Sequence, residues 1–256
     1  MAEAIIAGIV DSGLDAQVTV GEPVAVRCEA LSKLKGVTVT GDNAEAVAGA
    51  DIVAIAVKPQ QFDAVASSLA SLLKPEQTVL SIMAGVKMHS IGLKLNHKRL
   101  IRVMPNTPMQ VRQGISAWTV SQGVPQEVVD FTGSMLRALG DELKFSDERY
   151  VDIATALSAS GPAYVFMFIE SLADAGVKLG LPSHVARHLA YQTVLGSAAL
   201  AKETKKHPSE LRNMVTSPGG TTAAGLHALE EGAFRAVVTN AVEAAFRRGE
   251  ELAEGK

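Results

Sequence analysis

Along the first half of the chain the apolar positions keep changing period. Ala2, Ile5, Ile6, Ile9 and Val10 recur at the spacing of one helical face, and Ser12-Gly13 supplies a stop, so a helix begins with the first residues. Val18 to Val20 then reads as a short strand. From there to about Ser121, short β-rich runs over 18–20, 37–40, 51–57, 78–83, 99–104 and 115–120 alternate with helical runs over 25–34, 44–48, 60–73 and 88–95. Strands that are nearly all apolar and alternate with helices indicate a parallel sheet covered on both faces. After Ser121 the strand signals stop. "PQEVVDFTGSMLRALG" opens a helical series that runs to the C-terminus, broken by Gly and Pro at "SASGP", "GLP", "KHPSE" and "TSPGG". The change of period puts a boundary near Phe145 to Glu148, so an α/β domain is expected over 1–147 and an all-α domain over 148–256.

Within the second domain, "GPAYVFMFIESLADAGVKLGL" and "HLAYQTVLGSAALA" are apolar on more than one side. A helix apolar all round must be covered all round. A domain this small has little chain with which to do so, and part of that surface is expected to meet another subunit, the alternative being a compact bundle within one chain.

Composition narrows the partners. Of the 256 residues 47% are hydrophobic, ample for a buried core. A net charge of -3 from 24 basic and 27 acidic residues, with aromatics at 4%, gives neither the electrostatic stripe nor the stacking platform that nucleic acid requires. No apolar run is read as long enough for a bilayer span, and the first residues lack the basic n-region of a signal peptide, so no membrane association and a cytoplasmic location are expected. The single cysteine, Cys28, offers neither an internal disulfide nor a metal site and reads as a small buried helix residue.

Gly, Pro and small polar residues collect where strands or helices end. In "AVKPQQFDAV" a buried strand delivers Lys58-Pro59 at its carboxyl end, where open α/β sheets bind ligands. Taken alone, Lys58 reads as a solvated lysine leaving a strand. In "VMPNTPMQVRQG" Pro105 and Pro108 hold Asn106-Thr107 as a fixed shelf for a polar ligand. In "NMVTSPGGTTAAGLHALEEGAFR" Pro218 breaks the preceding element, Gly219 and Gly220 allow close backbone approach, and Thr221-Thr222 open a helix with free N–H groups. That stretch reads equally as a carboxylate site and as a Gly-rich interhelix turn with a Thr cap. His227, on the same helix, reads as structural.

Together "AVKPQ", "MPNTP", "LSASGPAYVFMFIESLADAGVKLGL" and "SPGGTTAAGLHALE" resemble the signatures of the pyrroline-5-carboxylate reductase family, and the resemblance runs along essentially the whole chain. It implies a Rossmann-type dinucleotide-binding domain followed by a helical domain that interlocks two subunits, with larger rings of dimers. It also implies reduction of the C=N bond of 1-pyrroline-5-carboxylate with NADPH or NADH, and no metal. By motif, Ser217, Gly219, Gly220 and Thr221 would hold the substrate carboxylate, Thr222 would face the ring nitrogen as the catalytic residue, and Val215 would lie close by. On the cofactor side the matching positions are Ala2, Asn43, Ala56, Lys58, Ala84, Asn106, Thr107 and Pro108. Hydroxyacid dehydrogenases of similar build need a base, usually a lysine near the start of the helical domain. Here "SASGPAYVFMF" has none, which favours imine chemistry.

The resemblance carries two departures. Family members open with a strand and a Gly-x-Gly-x-x-Ala turn running into Met-Ala-Glu-Ala. Met1-Ala2-Glu3-Ala4 matches only the end of that phrase, so Met1 is expected to be an internal methionine of a longer protein. If Met1 is instead the true start, the alternative is a non-catalytic helical dimerisation or regulatory paralogue. Many relatives also carry Ser, Asn or Arg after the second strand, suited to a 2'-phosphate, whereas this chain has "VTVGEP". Glu22 stands near where an acidic side chain accepts from the ribose 2'-OH of NAD, and equally reads as a helix-start acid before Pro23.

Overall fold

The computed structural model describes residues 1–34 and 36–254; Lys35 and residues 255 and 256, which close the expected second domain, lie outside them. Contacts divide the chain into two units, Met1–Ser160 with Ala245–Lys256, and Gly161–Ala244.

The first unit follows the alternating pattern. Helix α1 (Ala2–Asp11) leads into strand β1 (Val18–Gly21), α2 (Ala25–Leu31), β2 (Val37–Thr40) and α3 (Asn43–Val47). Strands β1 and β2 pair in parallel as a two-stranded ribbon. Next come β3 (Ile52–Ile55), α4 (Phe62–Leu69), β4 (Thr78–Ser81), α5 (Met88–Leu95), β5 (Leu100–Met104), β6 (Gly114–Val120), α6 (Gln126–Arg137) and β7 (Gly140–Lys144). These five strands form a second sheet in sequential order, and β1 does not pair with β3. In a doubly wound sheet a central strand separates those two elements; among the described residues none does.

Alternation along β3 to β6 sends side chains to opposite faces. Val53, Ile55, Val79 and Leu100 pack under Phe62, Ala66 and Leu69 of α4 and Ile91 and Leu95 of α5. Leu80, Ile101, Val103 and Trp118 pack under Ile5 of α1 and Val129, Met135 and Leu136 of α6. Each such side chain removed from water contributes about 1.5–3 kcal/mol.

Two features of the sheet depart from the sequence reading. Strand β6 runs antiparallel to β5, Val103 opposite Trp118. The stretch between them holds only a 3₁₀ turn, Thr107–Val111, and no crossover helix, which a parallel return requires. Strand β7 lies beyond Ser121, where no further strand was expected. Its "GDELK" carries charges because it is an edge strand, and polar edges resist further pairing.

Helix α7 (Glu148–Ala154) continues through a π-helical segment, Thr155–Ala159, into α8 (Gly161–Lys178). This 31-residue run contains a window apolar enough, by length and composition, to cross a membrane, which corrects the reading that no such run exists. Only 6% of that window is buried within the chain.

The second unit holds α8, α9 (Ser183–Thr204), α10 (Pro208–Met214), α11 (Thr221–Glu231) and most of α12 (Phe234–Ala253). Phe166, Met167, Leu195 and Val237 are all exposed, so these helices present unburied apolar faces.

Candidate functional site

Strands β3, β4 and β5 are parallel neighbours, so their carboxyl ends share one edge of the sheet. That edge gathers Ala56 and Lys58 after β3, Ala84 after β4, and Asn106, Thr107 and Pro108 after β5. Ala56, Lys58, Ala84 and Thr107 are exposed there. Lys58 sits in extended backbone just before Pro59, whose ring opens a 3₁₀ turn and turns the chain away from the edge.

Next to Ala84, Gly85 has φ +72°, and a side-chain carbon on it would stand 3.2 Å from Leu252 Cβ near the end of α12. A left-handed residue in so tight a space has to be glycine. The loop is also fastened from behind. Arg102 of β5, 1% exposed, donates to Glu148 Oε1 at 2.8 Å and to Asp152 Oδ1 at 2.7 Å. The same Glu148 oxygen accepts from the Met88 amide at 2.8 Å, and Lys87 lies 3.9 Å from Asp152. The first turns of α7 thereby hold the start of α5, which follows the Ala84-Gly85 loop.

Asn106 differs from its neighbours on the edge, being only 8% exposed. Its Nδ2 donates to Ser158 O at 3.1 Å, and its Oδ1 accepts from the Ile115 amide at 2.9 Å.

The ribbon brings Glu22 and Asn43 together at its own carboxyl end. Asn43 Oδ1 lies 2.5 Å from where a side-chain carbon on Gly21 would stand, and the Glu22 amide donates to Thr40 O at 3.0 Å. Glu22 Oε1 accepts from the Val24 amide at 3.0 Å, with Arg27 3.8 Å from the other oxygen. The carboxylate thus already serves the helix-start role, leaving part of its acceptor capacity outward. Cys28 is half-buried and donates to Glu22 O at 2.8 Å. At the start of α1, Ala2 lies in a first turn with no side-chain cap, where the leading amides have no partner inside the helix.

These residues suit a dinucleotide. Small exposed residues leave the sheet edge open to a planar ring, the lysine offers a positive charge to anionic oxygens, and the ribbon end carries polar side chains of the kind a ribose pairs with.

In the second unit Val215, Ser217, Gly219, Gly220, Thr221 and Thr222 are gathered in the turn between α10 and α11. Gly220 N donates to Ser217 O at 3.1 Å and closes the turn, while Gly219 takes φ +71°. Helix α11 begins after Gly220 with no side-chain cap. Its leading amides therefore face outward, and the macrodipole adds positive potential at the same point. The carboxylate-site reading gains from this, because the Thr caps required by the alternative reading are absent. Val215 ends α10 and is exposed. His227 is exposed, 3.5 Å from Glu231 one turn on.

The sequence reading passed over Arg102, Glu148 and Gly85. Arg102 was visible as a charge inside an apolar strand; the other two had no local signal.

Comparison with known proteins adds an independent line. The family model described as pyrroline-5-carboxylate reductase dimerisation matches residues 148–252, and one described as NADP oxidoreductase coenzyme F420-dependent matches residues 1–85. A pyrroline-5-carboxylate reductase of Pseudomonas aeruginosa is 41% identical over 99% of this chain and 94% of its own length. The Arabidopsis thaliana enzyme of that name is 41% identical over 99% of this chain and 92% of its own. Among solved structures, the pyrroline-5-carboxylate reductase of Coxiella burnetii superposes with TM-score 0.90 at 36% identity, covering 98% of this chain and 94% of that one. The Plasmodium falciparum enzyme, solved with NADP bound, gives 0.88 at 30% identity, covering 98% and 93%.

Proposed function

The chain belongs to the pyrroline-5-carboxylate reductase family, and from that premise we propose how its own residues carry the reaction. It reduces the C=N bond of 1-pyrroline-5-carboxylate to L-proline with NADPH or NADH, the last step of proline biosynthesis.

A cyclic imine protonated on nitrogen already has an electrophilic ring carbon, so the protein needs little acid-base machinery. When bound, the reduced nicotinamide supplies the hydride that this carbon accepts. The protein's part is placement. The amides around Ser217, Gly219, Gly220 and Thr221 grip the substrate carboxylate, and Thr222 directs its hydroxyl at the ring nitrogen, which keeps its proton as the amine forms. Val215 packs against the ring. Ala2, Asn43, Ala56, Lys58, Ala84, Thr107 and Pro108 seat the dinucleotide, with Glu22 beside the adenosine ribose, where its charge disfavours a 2'-phosphate. Residues 1–147 form the dinucleotide domain and 148–256 the dimerisation and substrate domain.

A homodimer accounts for the exposed apolar helices of the second unit, whose family model is a dimerisation model. Such dimers assemble further into a ring, and the enzyme works in the cytoplasm.

The observation that carries this reading is the uncapped start of α11 behind a left-handed Gly219, a rigid oxyanion holder made of backbone alone. The test is to mix the purified chain with 1-pyrroline-5-carboxylate and reduced dinucleotide, following dinucleotide oxidation and proline formation together. Stoichiometric proline is expected. Tight dinucleotide binding with no proline would overturn the reading.

A further inference from the structure

Pro162 stands one residue inside α8 and has no N–H to offer. In an α-helix its amide would have bonded to the carbonyl of Ser158, four residues back, and its ring also crowds that carbonyl. The chain answers with the π-helical segment, in which Ser160 N reaches back five residues to Thr155 O at 3.0 Å. The carbonyl of Ser158 then takes its hydrogen bond from Asn106 Nδ2 at 3.1 Å, while Asn106 Oδ1 is occupied by the Ile115 amide at 2.9 Å. Asn106 is 8% exposed, unlike Thr107 beside it.

We infer that Asn106 is a positioning residue of the reductase rather than a cofactor ligand: its amide replaces the hydrogen bond that Pro162 cannot give and so fixes the wide turn at Thr155–Ala159. The inference rests on the reductase reading. A π segment holds one residue more per turn than an α-helix, so relaxing it would shift the winding of 155–160 by about one residue and pull on the clasped loop. That loop also carries Thr107 and Pro108, and misplacement of about 1 Å at a reacting centre can cost 10²-fold in rate. Asn106 thus spans two motifs that are distant in sequence, "MPNTP" and "SASGP".

The test compares the full-length parent, Asn106→Ala, Asn106→Asp, Pro162→Ala and Asn106→Ala/Pro162→Ala. It reads kcat, dinucleotide Kd and amide hydrogen exchange over 155–163. Asn106→Asp keeps the acceptor for Ile115 and loses the donor to Ser158, so it serves if the alanine variant does not fold. Either single change at Asn106 should lower kcat by about tenfold or more, speed exchange over that segment, and leave Kd within about twofold. Pro162→Ala restores a helical donor and should recover both readouts in the double variant, the non-additivity expected of groups serving one carbonyl. A rise in Kd matching the loss of activity, unchanged exchange, or simple additivity overturns the inference. An inactive parent overturns the reductase reading instead, and exchange still decides whether the clasp exists.

Discussion

Arg102 and Glu148 meet at 2.8 Å with the arginine almost wholly withdrawn from water, and the oxygen that accepts from the guanidinium also accepts from the Met88 amide. One carboxylate thus joins a central strand, the first turn of α7 and the start of α5. Taking away one partner of a buried ion pair costs about 3–5 kcal/mol. Glu148 is partly open to solvent and Asp152 remains on the arginine, so Glu148→Ala is expected to cost less than that, about 2–3 kcal/mol, in urea denaturation. A change below about 0.5 kcal/mol would mean that the network does not hold α7.

The α11 start supplies a second test. If Thr222 orients the ring nitrogen, Thr222→Ala removes one directed hydrogen bond, worth about 1–2 kcal/mol or roughly 5- to 30-fold in turnover. Residual activity is expected, with dinucleotide affinity unchanged. Complete loss of turnover with intact dinucleotide binding would make the hydroxyl an obligatory proton donor and refute the orienting role.

Cofactor choice turns on Glu22. If Glu22 stands beside the adenosine ribose, its carboxylate would repel a 2'-phosphate and accept from a 2'-OH, and Glu22→Ser is expected to raise kcat/KM for NADPH relative to NADH by about tenfold, the scale of one charge contact. Steady-state kinetics with both dinucleotides measures the ratio. If the ratio stays fixed and only thermal stability falls, the carboxylate does no more than hold the Val24 amide.

The ribbon of β1 and β2 stands apart from the five-stranded sheet, and a two-stranded sheet is marginal by itself. Amides of β1 and β2 are therefore expected to exchange with solvent much faster than those of β4 and β5, whose residues are buried. Hydrogen exchange by mass spectrometry measures this, and equal protection would show that the two sheets open as one unit.

Much of this was written locally. Periodicity located α1 and strands β1 to β6, and Gly-Pro loops marked the strand ends and the start of α11, because strand ends and helix starts are local events. Strand β7 was hidden by its own edge chemistry, since "GDELK" lacks the apolar alternation that marks a half-buried strand. The reversal of β6 depended on what joins it to β5 rather than on its own residues. Asn106 was recognised as important, yet the partner that explains its burial lies in another motif. The apolar length of the run from Glu148 to Lys178 passed unnoticed because its Gly-Pro pair reads as a break, whereas the chain crosses it by widening one turn.

The contact between Leu252 and Gly85 ties the end of α12 to a loop at the carboxyl edge of the sheet. This helix begins among the apolar helices of the second unit and finishes as a wedge against the loop that carries Ala84. Trimming its final turns, or fusing a bulky tag there, would accordingly loosen the Ala84-Gly85 loop at the sheet edge.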